Sequence, residues 1–311
     1  MTAAGAVETI GGVRVERRAK IPTWFRCGGA ADRFARPRDE GELRACLASD
    51  PGLRVVGDGA NLLVADGGVR ELVVSLEGER FTRIEVDESS GLVVAGAGAR
   101  LPRVINLCVR SGLGGLETLA GIPASVGGAA AMNAGGRFGS FADRVERVDA
   151  MNREGREVEL TREEAGFGYR TSGLGELIVT GVAFRLERGD AADLRDRRDE
   201  IMRTKTASQP MRERSAGCCF KNPTLGEAIE GIGAAGERVS AGLLIDRAGC
   251  KGLMVGGARV SEVHANFVVT APEANAADVV GLMVEVGHRV RAAFGVHLEP
   301  EVVIWRSENA S

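Results

Sequence analysis

The sequence has few histidines and lacks the cysteine spacing of a metal centre. Histidine occurs only at positions 264, 288 and 297, and the six cysteines include no CxxC pair. Zinc sites combine these residue types at short, regular spacings, so we expect no metal. Six cysteines in 311 residues, two of them adjacent as Cys218 and Cys219, fit reduced thiols better than a disulfide framework.

Long apolar runs and an excess of one charge are also missing. No run of about 18 apolar residues occurs, and the opening MTAAGAVETIGG lacks the basic flank and apolar stretch of a secretory signal. Forty basic and 43 acidic residues leave a net charge of −3, too little to attract nucleic acid or an anionic membrane. We therefore expect a cytoplasmic protein with no nucleic-acid or membrane partner and no obligatory protein partner.

Glycine, in contrast, is abundant, with 44 residues, which is about twice the usual share. The glycines are not periodic, and they bound short β-branched runs at 53–56, 71–75 and 91–95. Apolar spacing predicts a helix over 101–110, and alternation predicts a further strand over 176–187. The chain length favours two domains.

The composition changes beyond these elements. Residues 188–214 are dense in Asp, Glu and Arg, with opposite charges four residues apart, which predicts a solvated helix and a domain boundary near residue 190. A strand is expected over 265–269. Thr270 and Glu273 form a capping-box pattern that predicts the start of a final helix. Its apolar stripe consists of Val279, Met283, Val286, Val290 and Phe294.

Two glycine-rich loops are candidates for ligand binding. The loop GDGANLLV at 57–64 follows a strand, and successive N–H groups in such a turn can bind a pyrophosphate without lysine. The loop GIPASVGGAAAMNAGG at 121–136 has almost no charge or bulk, so its backbone can lie against a flat ligand. A tight β-turn and a closely packed helix start are the alternative interpretations. No P-loop occurs, and GAG at 96–98 lacks the third glycine of a Rossmann fingerprint.

Three further segments carry groups suited to catalysis. Arg170, in the glycine-flanked FGYRTS, can bind a carboxylate or phosphate through two hydrogen bonds. The adjacent cysteines of SAGCCFKNP can supply a nucleophile or a general acid. Glu299 and Glu301, in LEPEV, share one side if the segment is extended. Each group also has an ordinary interpretation, as a surface arginine, buried small apolar side chains, or surface carboxylates.

Taken in chain order, the motifs closely resemble one family. GDGANLLV, GLETLAGIPASVGGAAAMNAGG, GYRTS, SAGCCFKNP, AGLLIDRAGCKG, SEVHANFVV and LEPEV resemble the UDP-N-acetylenolpyruvoylglucosamine reductase (MurB) family over residues 24–302. The resemblance implies an FAD-binding domain of the vanillyl-alcohol-oxidase (PCMH) type at 24–189 and an α+β substrate-binding domain at 190–311. An N-terminal segment, 1–23, would precede them.

The resemblance also implies an activity. The family binds FAD noncovalently and takes hydride from NADPH, and it reduces UDP-N-acetyl-3-O-(1-carboxyvinyl)-glucosamine to UDP-N-acetylmuramate for peptidoglycan synthesis. All three histidines lie outside the expected flavin domain, which disfavours a histidyl-linked flavin. The alternatives are another flavin oxidase or dehydrogenase of the same fold and a binding protein that retains flavin or UDP-sugar without catalysis.

The same resemblance assigns site residues. Arg170 would polarise the substrate carboxylate, Glu301 would help to stabilise the enolic intermediate, and Cys218 would donate the proton where the family usually has serine. A thiol is the stronger acid, so the substitution preserves that role. FAD would contact Gly57, Asp58, Gly59, Ala60, Asn61, Leu62, Gly121, Ile122, Pro123, Ser125, Gly127, Gly128 and Asn133.

The substrate is expected to bind without a covering loop. The chain has one tyrosine, Tyr169, and therefore resembles the type of this family that lacks the tyrosine-bearing substrate loop. The diphosphate would then be held by other side chains. The predicted substrate-binding residues are Tyr169, Arg203, Lys205, Lys221, Asn222 and His264.

Overall fold

A computed structural model of the protein describes residues 8–306. Within that range the chain forms two compact units, one built from 8–20, 31–58 and 70–204, the other from 21–30, 59–69 and 205–306. The sequence led us to expect a contiguous division near residue 190. The division is not contiguous along the chain, because the second unit also includes the two short early segments 21–30 and 59–69. Residues 1–7 of the expected N-terminal segment lie outside the described range.

The described residues form nineteen strands and seven α-helices. The strands are β1 (Thr9–Ile10), β2 (Val13–Lys20), β3 (Ala30–Ala35), β4 (Arg54–Val56), β5 (Leu62–Val64), β6 (Val69–Ser75), β7 (Ile84–Asp87), β8 (Leu92–Gly96), β9 (Leu113–Gly114), β10 (Gly135–Gly136), β11 (Gly139–Ser140), β12 (Val145–Met151), β13 (Glu157–Thr161), β14 (Ile178–Arg185), β15 (Glu187–Arg188), β16 (Met254–Val255), β17 (Ala258–Val260), β18 (Val268–Thr270) and β19 (Val303–Trp305). The helices are α1 (Glu40–Ser49), α2 (Glu79–Thr82), α3 (Leu101–Arg110), α4 (Val126–Ala131), α5 (Ala191–Ser208), α6 (Ala241–Arg247) and α7 (Ala276–Phe294).

Two five-stranded sheets organise the first unit. One has the order β1-β2-β3-β6-β4, and the other has the order β13-β12-β14-β8-β7 with antiparallel pairing throughout. Apolar side chains of α1, α3 and α4 pack with those of the strands into one core. The predicted strands at 53–56, 71–75, 91–95 and 176–187 are confirmed as β4, β6, β8 and β14, with small shifts at their ends.

Helix α3 shows how the sequence sets its local structure. Pro102 lies in its first turn, where the missing N–H is not needed, and Gly112 follows its end with φ of +65°. Burial of each aliphatic side chain on its apolar face stabilises the fold by about 1.5–3 kcal/mol. That face consists of Leu101, Val104, Ile105, Cys108 and Val109. The predicted helix over 101–110 is confirmed.

The second unit contains a smaller mixed structure. Strands β16, β17 and β18 form an antiparallel sheet, β5 pairs in parallel with β19, and α6 and α7 complete the core. The predicted strand at 265–269 begins later, as β18, since residues 265 and 266 form a turn. The predicted stripe of α7 is buried or partly buried in this core.

The predicted start of α7 is wrong. Thr270 belongs to β18, where its N–H donates to the carbonyl of Arg214 and its hydroxyl donates to the carbonyl of Phe25. Those bonds hold the chain extended, so the cap of the helix lies five residues later than predicted. Asn275 is its N-cap and forms a capping box with Asp278. The helix ends as predicted, at a left-handed Gly295.

The charged segment beyond residue 188 forms the predicted solvated helix. Helix α5 buries only Ile201, and the division between the two units falls within its last turns. Among the described residues, no helix combines the length and the hydropathy that crossing a membrane requires.

Candidate functional site

The two glycine-rich loops meet in the first unit. Gly57 follows β4 directly and lies against Ser125, so that a Cβ at position 57 would overlap the Ser125 hydroxyl. Ser125 caps α4 by accepting a hydrogen bond from the N–H of Gly128 at 3.2 Å. The N–H of Gly127 donates to the carbonyl of Ala97 at 2.8 Å. Positions without a side chain therefore allow the two loops to approach each other closely, a contact that the sequence analysis did not predict.

Asp58 places a carboxylate beside this contact. Burial raises the pKa of the Asp58 carboxyl, and the Arg100 guanidinium, 3.7 Å away, opposes that shift. The atom nearest to this guanidinium is the buried carboxylate oxygen Oδ2, so Asp58 and Arg100 form a long ion pair. At 3.7 Å this pair is longer than a hydrogen bond.

Arg170 occupies a strained two-residue turn. Tyr169 and Arg170 connect Gly168 to Thr171, whose main chains pair, and Arg170 has φ of +55°. A left-handed conformation costs a non-glycine residue about 1 kcal/mol or more. The guanidinium lies over the Tyr169 ring, 5.4 Å from its centroid. The turn thus holds the arginine and the tyrosine together.

Asn133 ties this turn to the second glycine-rich loop. Its side chain donates to the carbonyl of Gly168 at 2.8 Å and accepts from the N–H of Ala142 at 3.0 Å. The Ser172 hydroxyl donates to the carbonyl of Ala131 at 2.8 Å. The segments that carry the predicted flavin contacts and Arg170 are therefore joined within the first unit. We predicted Asn133 as a flavin contact, and its amide already anchors the arginine turn.

The second half of GDGANLLV belongs to the second unit. Gly59 has φ of +65°, and a Cβ there would overlap the carbonyl of Pro22. Asn61 lies in the turn before β5; its side-chain amide donates to the carbonyl of Glu301 at 3.0 Å, and its own carbonyl accepts from Val303. The Asn61 side chain thus supports the strand that follows Glu301, a connection that the sequence did not indicate.

The cysteine loop lies between two other segments of the second unit. The N–H of Glu301 donates to the carbonyl of Cys219 at 2.8 Å, and the N–H of Lys221 donates to the carbonyl of Glu299 at 2.9 Å. On the other side, Cys218 pairs with Phe267. Three motifs that are far apart in the sequence therefore form one short antiparallel ladder.

The two adjacent thiols differ in environment. Cys218 is half-buried, whereas Cys219 is 1% exposed. Burial, reinforced by the negative charge of Glu301, raises the pKa of the Cys219 thiol to about 12. The ladder register sets Glu301 opposite Cys219. Cys219 therefore remains protonated at neutral pH, as a packed apolar group.

The predicted substrate residues fall into four places. Tyr169 shares the turn of Arg170. Helix α5 carries Arg203 and Lys205, and the exposed Arg203 donates to the carbonyl of Asp199 one helical turn earlier. In the second unit, Lys221 forms an ion pair with Glu299 at 2.6 Å. The remaining two residues lie at the start of α6.

Asn222 and His264 both border that helix start. The Asn222 side chain accepts from the N–H of Ala241 at 3.0 Å, and the His264 ring lies against Gly242. Burial lowers the pKa of His264, whose Nδ1 accepts the N–H of Asn266 at 3.2 Å. The neutral imidazole therefore carries its proton on Nε2, since Nδ1 is an acceptor.

One residue of this region was missed from the sequence. Asn266 is 3% exposed, and its side chain makes two hydrogen bonds to the main chain of Phe220. The available signal was a polar amide inside the otherwise apolar run ANFVV. A buried polar side chain needs partners, but the sequence does not indicate which ones.

Comparison with known proteins first defines the class. The FAD binding domain family matches residues 31–161, and the C-terminal domain family of UDP-N-acetylenolpyruvoylglucosamine reductase matches residues 209–305. The predicted order of an α+β FAD-binding domain followed by a second α+β domain is confirmed. The protein is thus a flavoprotein with a reductase-type C-terminal domain.

Similarity over the whole chain then defines the family. The chain is 40% identical over 299 residues to UDP-N-acetylenolpyruvoylglucosamine reductase of Syntrophobacter fumaroxidans, covering 93% of this chain and 82% of the relative. The enzyme of the same name from Cereibacter sphaeroides is 43% identical over 286 residues, covering 90% and 91%. The crystal structure of UDP-N-acetylenolpyruvylglucosamine reductase (MurB) from Thermus caldophilus matches with a TM-score of 0.80 and 40% identity, covering 94% of this chain and 100% of that one. The chain belongs to the UDP-N-acetylenolpyruvoylglucosamine reductase family.

Proposed function

We propose that this protein reduces UDP-N-acetyl-3-O-(1-carboxyvinyl)-glucosamine to UDP-N-acetylmuramate, with FAD as cofactor and NADPH as hydride donor. The reaction supplies a peptidoglycan precursor, and we place it in the cytoplasm. The observation that carries this proposal is the whole-length similarity to reductases of this name. The ladder formed by SAGCCFKNP, HANF and LEPEV supports it, because another flavin oxidase of the same fold would have no need of these motifs together.

The first unit has features that fit FAD. The contact between Gly57 and Ser125 brings the two small-residue loops together. We assign the loops at 57–62 and 121–133 to the cofactor. FAD held there would supply the hydride chemistry, as acceptor from NADPH and donor to the sugar.

Arg170 is the group that we assign to the carboxylate of the enolpyruvyl substituent. A guanidinium can donate two parallel hydrogen bonds to a carboxylate and stabilise the negative charge that develops as the double bond accepts hydride. Its strained turn supports this role, since left-handed non-glycine residues persist where the surrounding structure holds them and concentrate at functional sites. Asn133 and the Gly168–Thr171 pairing supply that hold.

Cys218 is the group that we assign as proton donor. Its thiol is half-buried, in contrast to that of Cys219, and a thiol is acidic enough to act as a general acid. Glu301, on the neighbouring strand of the ladder, would stabilise the enolic form of the substrate. The ion pair of Lys221 with Glu299 would have to rearrange for Lys221 to bind the diphosphate, together with Asn222, Arg203 and Lys205.

The test follows the two half-reactions separately. Purified protein should show a flavin spectrum that NADPH bleaches under anaerobic conditions and that the UDP-enolpyruvyl sugar then restores. UDP-N-acetylglucosamine, which lacks the enolpyruvyl group, is the matched control and should leave the flavin reduced. A colourless protein that does not take up FAD would refute a flavoenzyme, and bleaching without reoxidation by the sugar would refute this substrate.

A further inference from the structure

The side chain of Asn266 makes the hydrogen bonds to the cysteine loop that a neighbouring strand would otherwise make. Its side-chain oxygen accepts the N–H of Phe220 at 3.0 Å, and its side-chain nitrogen donates to the carbonyl of Phe220 at 2.8 Å. Its main-chain carbonyl accepts the N–H of Cys219 at 2.8 Å. A carboxamide carries the same donor and acceptor as a peptide group, so one side chain makes the pair of bonds that an adjacent strand would make.

The hydrogen bonds of the loop can be counted residue by residue. Cys219 and Phe220 have two main-chain N–H groups and two carbonyls. Asn266 bonds three of these four groups, and the N–H of Glu301 bonds the fourth, the carbonyl of Cys219. The segment therefore depends on Asn266 on one side and on the Glu301 strand on the other.

The local backbone explains why a side chain is needed. Residues 264–266 form a turn, in which Asn266 N–H donates to His264 Nδ1, before the chain extends into β18. A turning main chain cannot present a donor and an acceptor to Phe220 in strand geometry. Asn266 is 3% exposed, so water does not compete for these bonds.

We propose that Asn266 is a positioning residue for the second half-reaction, one that holds Cys218 and Glu301 in register with each other. This inference rests on the proposed function, since it takes Cys218 as the proton donor and Glu301 as the group that stabilises the enolic form. Asn266 lies beside Cys219 in the ladder and touches neither reacting group through its amide. Its effect is exerted through the main chain of Cys219 and Phe220.

The informative change is Asn266→Asp, which keeps the shape of the side chain. The ionised carboxylate can accept from Phe220 but cannot donate to its carbonyl. We expect reoxidation by the sugar to slow by about 10–100-fold, the effect of a small misplacement of reacting groups, while bleaching by NADPH changes by less than about twofold. Protonation restores the donor, so the reoxidation rate of Asn266→Asp should recover as the pH falls. Asn266→Leu, which has neither group, should show no such recovery.

Asn275→Ala is the matched control for a simple loss of stability. It removes a side-chain-to-main-chain bond of another asparagine in the same unit, the 2.9 Å cap of α7. It should lower the melting temperature while leaving both half-reactions and their pH profiles unchanged. If Asn266→Asp behaves like Asn275→Ala, or slows both half-reactions equally, Asn266 serves stability alone and the proposal is refuted.

Amide hydrogen exchange on the wild-type holoenzyme tests the proposal without any variant. The N–H groups of Cys219 and Phe220 should exchange as slowly as the core of α7, and exchange at the rate of an exposed loop would refute the proposal. Failure of the proposed function gives a different result, because the wild-type protein itself would then not be reoxidised by the sugar.

Discussion

The six cysteines should differ by orders of magnitude in their reactivity toward alkylating agents. The thiolate is the reactive form. At pH 8, a thiol with the ordinary pKa of 9.0 is about one-tenth ionised, whereas a thiol with a pKa of about 12 is ionised to about one part in ten thousand. Burial raises the pKa of Cys108 and Cys219 to about 12 and that of Cys27 and Cys46 to about 11.

These shifts slow the reaction of the buried thiols by about a hundredfold to a thousandfold, before steric exclusion adds to the effect. Burial also raises the pKa of Cys250. Cys218 is half-buried, and we expect iodoacetamide to modify it first. That modification should abolish reoxidation by the UDP-enolpyruvyl sugar and spare bleaching by NADPH.

The assay is timed alkylation of the native protein at pH 8, with tandem mass spectrometry to distinguish Cys218 from Cys219. Bound sugar should protect Cys218. Cys218→Ser should resist inactivation and keep much of the wild-type rate, whereas Cys218→Ala should reoxidise about 10²–10⁴-fold more slowly. Cys219→Ala is the matched control; it should cost about 1 kcal/mol of stability and little activity. Labelling of Cys219 as fast as Cys218, or a normal rate in Cys218→Ala, would overturn the assignment.

Three further changes test other parts of the site. Arg170→Lys keeps the charge but loses the two-pronged geometry, so reoxidation by the sugar should fall by orders of magnitude while FAD stays bound; near-normal turnover would make Arg170 an ordinary surface residue. Glu301→Gln should slow reoxidation and spare bleaching. Glu299→Gln breaks only the ion pair of the exposed Glu299 carboxylate, so it should cost about 0–1 kcal/mol of stability and little rate. The reverse result would exchange their roles. His264 has a lowered pKa in the folded state, so the unfolded chain binds the proton more readily, and its contribution to stability is lost as the pH falls through 6.5. Denaturant unfolding from pH 8 to 5 should show a smaller loss of stability in His264→Gln than in the wild type, and identical profiles would refute that linkage.

Local pattern was sufficient for the elements that bury one clear face. The spacing of Leu101, Val104, Ile105 and Cys108 specified α3, and the stripe of α7 was equally plain. The start of α7 was not predicted, because Thr270 and Glu273 match a capping box as well as Asn275 and Asp278 do. Long-range bonds of Thr270 to Arg214 and Phe25 decided between the two pairs.

For the site residues, too, some features were indicated by the sequence and others became clear only from the structure. The sequence indicated the glycine-rich loops, Arg170 and the two cysteines as candidates, since their residue types and loop contexts are informative without coordinates. It did not separate Cys218 from Cys219 by environment. That difference arises from burial and from the charge of Glu301, which approaches from more than 80 positions away along the chain.

By itself, then, the sequence determined the family, the α+β class and the cofactor type, and it indicated the segments to which we assign the chemistry. Ordered motifs and apolar periodicity are local properties, and they survive without knowledge of the fold. The tertiary structure alone decided that GDGANLLV contributes to both compact units, that Asn133 supports the Arg170 turn, and that Asn266 completes the cysteine ladder. Those facts depend on hydrogen bonds between an amide side chain and backbone groups that are distant in the sequence. Only the folded chain brings such a side chain within 3 Å of those groups.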